Sequence, residues 1–317
     1  MQRYIIRRFL EMLLVLLVMS VIIFVTLRLL PGDPTMVFIG REGTKEGIEA
    51  VRKELGLDQP IYVQYLYWMR DVLQGRFGYS WYTKHSAMDL LRVKFPATLY
   101  LTLAALFVGT LITLPLGLIA GIKPHSWFDN FATTFSLFGV AMPPFWVGIM
   151  LMMFFAVQLR ILPAAGYVKP TEDLLLSLKH LILPAITLGI QVAATQTRFL
   201  RSGMLDVMNA DYIRSARAKG LPERLVIGRH ALKNALLSVV TVFALEFGAL
   251  LGGALVTETV FFWPGIGTTL VQSIGNRDYG VVQAVVLYIA LVYMLVNLLA
   301  DISYAFLDPR IRYEKKY

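Results

Sequence analysis

Cysteine is absent from all 317 residues, which removes disulfides, thiolate metal sites, iron–sulfur clusters and cysteine nucleophiles together. Charge is scarce too: Asp, Glu, Lys and Arg make up 16% of the chain, against roughly 25% in an average soluble domain. The four histidines, His85, His125, His180 and His230, are scattered and form no H-x-x-x-H pair, so no zinc-type ligand set is in view. No G-x-x-x-x-G-K-[ST] loop occurs, since Gly40-Arg41-Glu42-Gly43-Thr44-Lys45 lacks the spacing. ATP hydrolysis by that route is excluded. No G-x-S-x-G elbow is present either. Of the 13 methionines, Met150, Met152 and Met153 sit in an ordinary apolar run and read as packing, not as a metal relay.

Apolar sequence is what the chain has in excess: 57% hydrophobic residues and a mean hydropathy of +0.62. Such a chain cannot cover itself with polar surface, and it is expected to be an all-α integral membrane protein. Six runs are long enough to cross a bilayer, at Phe9–Leu30, Ala97–Ile122, Phe131–Val157, Leu181–Leu200, Leu236–Thr257 and Val281–Phe306. The first is too long for the apolar region of a signal peptide and ends in Leu29-Leu30-Pro31-Gly32, with no small-x-small cleavage site. It is expected to remain as a helix. The implied division is 1–30 as the first span, 31–96 as an extracytoplasmic segment, and 97–317 as a five-helix core that includes a loop at 201–235.

Orientation follows from the basic residues. Sixteen Lys and Arg fall on the side of both termini, eight of them between Arg198 and Lys233. The short loops opposite hold four: Arg160, Lys169, Lys179 and Arg277. Both termini are therefore expected to be cytoplasmic. The formal net charge of +9 is mostly topology, and nucleic acid is not expected as a partner, because the basic residues are not interleaved with aromatics on a soluble face.

Within the spans, Gly117 and Gly121 are four apart, as are Gly248 and Gly252, a spacing that lets helix backbones approach. Pro115, the Pro143-Pro144 pair and Pro184 interrupt three helices, through packing or through bending during gating. Glu246 lies mid-span, on a face with Ala249 and Gly253. A buried acid is expensive in a membrane, so it is expected to face protein or a water-filled cavity. Lining a path for cations, coupling to protons, and a plain hydrogen bond to a neighbouring helix all fit.

Between the fourth and fifth runs the sequence reads as two short helices. Ala210, Tyr212, Ile213, Ala216 and Ala218 suit the first. Gly220 has the place of a left-handed C′ glycine, and Pro222 with Glu223 suits the first turn of the second. A structured basic insert in an otherwise minimal chain points to a docking surface, although a solvated connection has the same composition.

This insert carries D-Y-x-R-x-A-R-A-K-G at Asp211–Gly220 and R-H-A-L-K-N-A at Arg229–Ala235. It resembles the EAA loop of permease subunits of ATP-binding-cassette importers, in the dipeptide, oligopeptide and nickel branch. The general E-A-A letters stand here as Arg214-Ser215-Ala216, and the usual late proline is Lys233. Further matches follow in order along the chain. They are Leu30-Pro31-Gly32-Asp33-Pro34, Glu54–Pro60, Gly75-Arg76-Phe77-Gly78-Tyr79-Ser80, and Ile182-Leu183-Pro184-Ala185. Glu258-x-Val260-Phe261-x-Trp263-Pro264-Gly265-Ile266-Gly267, Arg277-Asp278-Tyr279 and Asp308-Pro309-Arg310-Ile311-Arg312 complete the set.

The resemblance implies the type I importer permease fold, with six membrane helices. It implies a second, paralogous permease subunit, two ATP-binding-cassette ATPase subunits and an extracytoplasmic substrate-binding protein as partners, beside the lipid membrane. No cofactor is expected in this chain; ATP and magnesium belong to the ATPase subunits. Asp211, Arg214, Ala216, Arg217 and Gly220 are carried over as the ATPase-coupling contact. Trp263, Pro264 and Gly265, with the 31–96 segment, are carried over as the docking element for the binding protein, although 31–96 also reads as a plain lid. Glu246 is assigned to the translocation path. Small peptides are the expected cargo, with nickel or metal chelates, glutathione, opines or sugars as alternatives. An ion-coupled secondary carrier is the competing class, and it calls for inverted repeats and several mid-membrane ionisable groups, neither of which is found.

Overall fold

A computed structural model of the chain describes residues 2–29, 53, 56–80 and 82–307. The motifs Leu30–Pro34 and Asp308–Arg312, and Glu54 and Leu55 of the Glu54–Pro60 motif, lie outside the described residues. The chain divides into two compact units. One takes Leu99–Trp263 and the chain from Val296; the other takes Gln2–Thr98 and Pro264–Leu295.

In chain order the described elements are α1 (Gln2–Leu29), α2 (Ile61–Leu73), a two-residue hairpin β1 (Tyr79–Ser80) and β2 (His85–Ser86), and α3 (Ala87–Ile122). Then come α4 (Trp127–Ala141), α5 (Pro144–Leu151, extended by a π-helical stretch Met152–Gln158) and α6 (Leu174–Met208). After these follow α7 (Asp211–Ala218), α8 (Glu223–Leu225), a π-helical stretch Val226–Leu232 and α9 (Lys233–Gly253). The chain ends in α10 (Leu255–Val260), α11 (Ile266–Gly275) and α12 (Tyr279–Leu307). Among the described residues, five helices are long and apolar enough to cross a membrane, or six if the bent pair α4–α5 forms one span.

That pair changes the expected third span. Phe131–Val157 is not one straight crossing: α4 and α5 meet at an angle of 105°. The cause is local. Met142 precedes a proline and takes an extended conformation (φ −75°, ψ 127°), and Pro143 follows it at ψ 135°. Neither Pro143 nor Pro144 can donate to the preceding turn. With 15 residues, α4 spans about 22 Å, short of a hydrocarbon core of about 30 Å. Pro115 and Pro184, by contrast, sit inside helices that stay continuous.

In the first unit α6 is central. Its Asp173 cap accepts a hydrogen bond from the Leu176 amide at 2.9 Å. Its buried positions recur every three or four residues, from Ala185 through Gly189, Val192, Gln196 and Leu200 to Met204. The expected close approach at Gly117 and Gly121 is made against this face. A Cβ on Gly117 would lie 2.8 Å from Leu200, and one on Gly121 would strike Met204. Gly248 is buried, whereas Gly252 is exposed.

In the second unit, α3 begins at Ala87, ten residues before the expected span, and its first turns pack with α11 and α12 around Ala87, Leu91, Ile266, Val281, Ala284 and Val285. Phe24 of α1 packs against Tyr65 and Trp68 of α2, with ring centroids 5.5 and 5.6 Å apart. One side of the α2 aromatic face is therefore used internally, and Tyr62, Leu66 and Tyr67 remain exposed. The Gly75–Ser80 and Arg277–Tyr279 motifs meet here: the Ser80 hydroxyl donates to the buried Asp278 carboxylate. A Cβ on Gly280 would lie 2.6 Å from the Tyr79 carbonyl, which explains a glycine at that position.

Candidate functional site

The turn between α6 and α9 is built from the inside out. Ile213 and Ala216 of α7 are buried in a cluster with Leu200, Met204, Val226, Ala231, Ala235 and Val239, so one face of this short helix is seated on the ends of its neighbours. Its C-terminus is a Schellman motif. The Gly220 amide donates to the Arg217 carbonyl at 2.9 Å, and the Leu221 amide donates to the Ala216 carbonyl at 3.4 Å. Gly220 has φ +75°, the left-handed conformation expected of a C′ glycine. Leu221 packs back on the same cluster.

Pro222 caps the next helix, and Glu223 is its first residue. Glu223 accepts from Arg217 Nε at 2.7 Å, closing the turn. The second short helix of the sequence reading is not separate. From Glu223 the chain runs through the π-helical stretch into α9, and it counts as one apolar helix from Glu223 to Gly252. Since α6 also continues to Met208, the insert proper shrinks to residues 209–222.

These placements sort the coupling residues. Asp211 and Arg214 lie on the outer face, paired at 2.8 Å and largely exposed. Arg217 is bound to Glu223, and Gly220 sets the turn. Ala216, carried over with them, lies inward against the cluster at 7% exposure. Its small side chain serves the seating of α7 on α6 and α9.

Glu246 of α9 borders a cavity of about 310 Å³ lined by Val140, Leu188, Gln191, Val192, Thr195, Glu246, Ala249 and Leu250. Gln196, fully buried, donates to one carboxylate oxygen at 2.9 Å and accepts from Thr110 at 3.4 Å. The carboxylate is thus held by a neighbouring helix and also borders open space. Among the described residues, no Lys, Arg or His lines this cavity.

Trp263, expected at the docking turn, faces inward. Its indole is 1% exposed, stacked on Tyr100 at 6.3 Å and met edge-on by Tyr167 at 4.7 Å. Gly265 is buried and Pro264 half-buried. The outward residue is its neighbour Phe262, 77% exposed and held at φ +52°. The Gly166 amide donates to the Phe261 carbonyl at 2.9 Å and ties this turn to the Tyr167 loop. Burial pushes the Tyr167 phenol above its ordinary value.

Two long apolar helices are joined by a seated eight-residue helix, beside a mostly apolar cavity with Gln191, Thr195 and Glu246 in its wall. The model of the family described as "Binding-protein-dependent transport system inner membrane component" matches residues 113–313, and its N-terminal companion matches residues 1–102. The chain belongs to this family. Curated relatives include the glutathione transport system permease protein GsiC of Salmonella typhimurium, 41% identical over 314 residues, or 99% of this chain and all of that one. The Escherichia coli protein of the same name is 40% identical over the same length.

Among solved structures, the MetNI methionine ABC transporter in inward-facing conformations gives a TM-score of 0.55 at 18% identity. The match covers 70% of this chain and 97% of that one, and shows the type I importer permease fold. The permease is therefore a multi-pass inner-membrane subunit of an ATP-binding-cassette importer, working with ATPase subunits and a substrate-binding protein. It is a transport subunit and not an enzyme.

Sequence reading missed Asp129 and Arg201, which form a bidentate ion pair between α4 and α6. The available signal was the Ser126-x-x-Asp129 capping pattern, because Ser126 Oγ accepts from the Asp129 amide at 3.2 Å.

Proposed function

We propose that this permease pairs with a paralogous six-span subunit, and that together they form the path for small peptides, glutathione-like tripeptides among them. The observation that carries the coupling part of this reading is α7: buried beneath, charged above, and joined by short turns to two membrane helices. Such a helix delivers a push from a partner directly to α6 and α9. Asp211 and Arg214 meet a cleft on the ATPase, while Gly220 and the Arg217–Glu223 pair keep the helix at its angle. ATP and magnesium sit on the ATPase subunits and supply the energy. Their closure and reset shift the permease between two packings, outward- and inward-facing.

Glu246 lines the path and favours the ammonium end that peptides carry. The binding protein docks on the outer side, through the 31–96 segment and the turn that carries Phe262, Pro264 and Gly265. The test is charge reversal on the outer face of α7. D211R with R214E is expected to lose ATPase subunits on detergent extraction while the amount of permease in the membrane is unchanged. Full retention would refute the docking role of α7.

A further inference from the structure

Asp129 and Arg201 are charged, tightly paired and unused by the path or the docking face. Asp129 is the third residue of α4. Its side chain is 4% exposed and accepts three hydrogen bonds, from Arg201 Nε, from Arg201 Nη2 at 2.8 Å and from the His125 amide at 2.9 Å. His125 is itself left-handed, at φ +61°, and Ser126 Oγ donates to the Lys123 carbonyl at 2.7 Å, so the turn before α4 is knitted closed.

The place of the pair in the unit gives it leverage. Arg201 lies seven residues before the end of α6, about 10 Å along the helix. The coupling helix begins three residues beyond that end. Gly117 and Gly121 of α3 press on the same stretch of α6, at Leu200 and Met204. At the other end of α4, Val140 is part of the wall of the Glu246 cavity, just before the break at Met142-Pro143. Over about 22 Å α4 follows α6, pinned by the ion pair at one end and packed through Gly139 on Ala194 at the other, where it reaches the cavity.

We propose that the Asp129–Arg201 pair is a strut that stays closed through the transport cycle and carries movement of the coupling helix into α4 and so to the cavity wall. It rests on the coupling role of α7 proposed above. A strut fits the geometry better than a latch. The guanidinium fork binds both carboxylate oxygens in one plane, a rigid arrangement. Opening it would cost Asp129 two of its three hydrogen bonds together with its counter-ion.

The test uses the complete importer in proteoliposomes, with labelled glutathione and labelled dialanine as probes and ATP hydrolysis measured alongside. Asp129→Asn and Arg201→Lys are expected to cut uptake per ATP hydrolysed at least tenfold while hydrolysis by the assembled complex persists. A pair that merely stabilises the fold would lower both activities together, so an unchanged ratio would overturn the strut.

The cysteine-free chain permits a second test. D129C with R201C, bridged by a short bis-thiosulfonate reagent, is expected to recover coupled uptake. A bridged form that hydrolyses ATP but does not transport would show that the pair must open, and would also overturn it. R214E on α7 separates the two ideas. If that variant leaves uptake and hydrolysis untouched, the docking role of α7 fails, and the strut fails with it for that distinct reason.

Discussion

Gly220 offers a perturbation whose size can be worked out from its surroundings. A Cβ there would meet nothing within 4 Å, so substitution brings no clash and the whole effect is backbone strain at φ +75°. Holding an alanine in the left-handed region costs about 1–2 kcal/mol. Its stiffer unfolded chain returns about 0.4–1 kcal/mol, leaving a net cost near 1 kcal/mol. That is roughly a fivefold loss of the intact turn. Asparagine tolerates this conformation and should lose less; valine, branched at Cβ, should lose much more. ATP-driven uptake into membrane vesicles, normalised to permease content, is therefore expected to fall in the order Gly, Asn, Ala, Val, with Val essentially inactive but still inserted. Normal uptake by Gly220→Val would remove the turn from the mechanism.

Other expectations follow from single contacts. Glu246→Gln should slow cationic peptides more than neutral ones, read as initial uptake rates; equal slowing would count against the lining role. Trp263→Ala empties a buried aromatic site and should cost about 3–5 kcal/mol, seen as a lower melting temperature in detergent. Phe262→Gly should raise that temperature slightly by relieving φ +52° while weakening association with the binding protein. Burial raises the Asp278 carboxyl above its ordinary 3.8, against the opposing Ser80 hydrogen bond. The folded state then holds this proton to higher pH than the unfolded chain does, so stability is lost as pH rises from 3.8 through the raised value. Asp278→Asn should flatten that part of the stability profile.

The membrane class, the short helix α7 and its left-handed glycine were legible because each is written locally, in apolar runs and in the placement of Gly220 and Pro222. The break at Pro143-Pro144 was legible only as an interruption, since whether a proline pair kinks or stops a helix is decided by its neighbours. Pro184, inside a helix backed on several sides, does not stop it. The burial of Trp263 was not legible, because an aromatic–proline–glycine turn looks like exposed loop. Its inward setting depends on Tyr100 and Tyr167, both about 100 residues or more away in sequence. The Arg201 partner was hidden for a similar reason. The apolar run ends at Leu200, so Arg201 counted as a loop charge, yet α6 continues for two more turns and brings it to Asp129 across 72 residues.

The most direct test of the whole account is gentle detergent extraction of the tagged chain from its native membranes, followed by mass spectrometry of what remains bound. Recovery of a second six-span permease and two ATP-binding-cassette ATPases is the predicted result. A chain that purifies alone and moves solute in liposomes without ATP would contradict it.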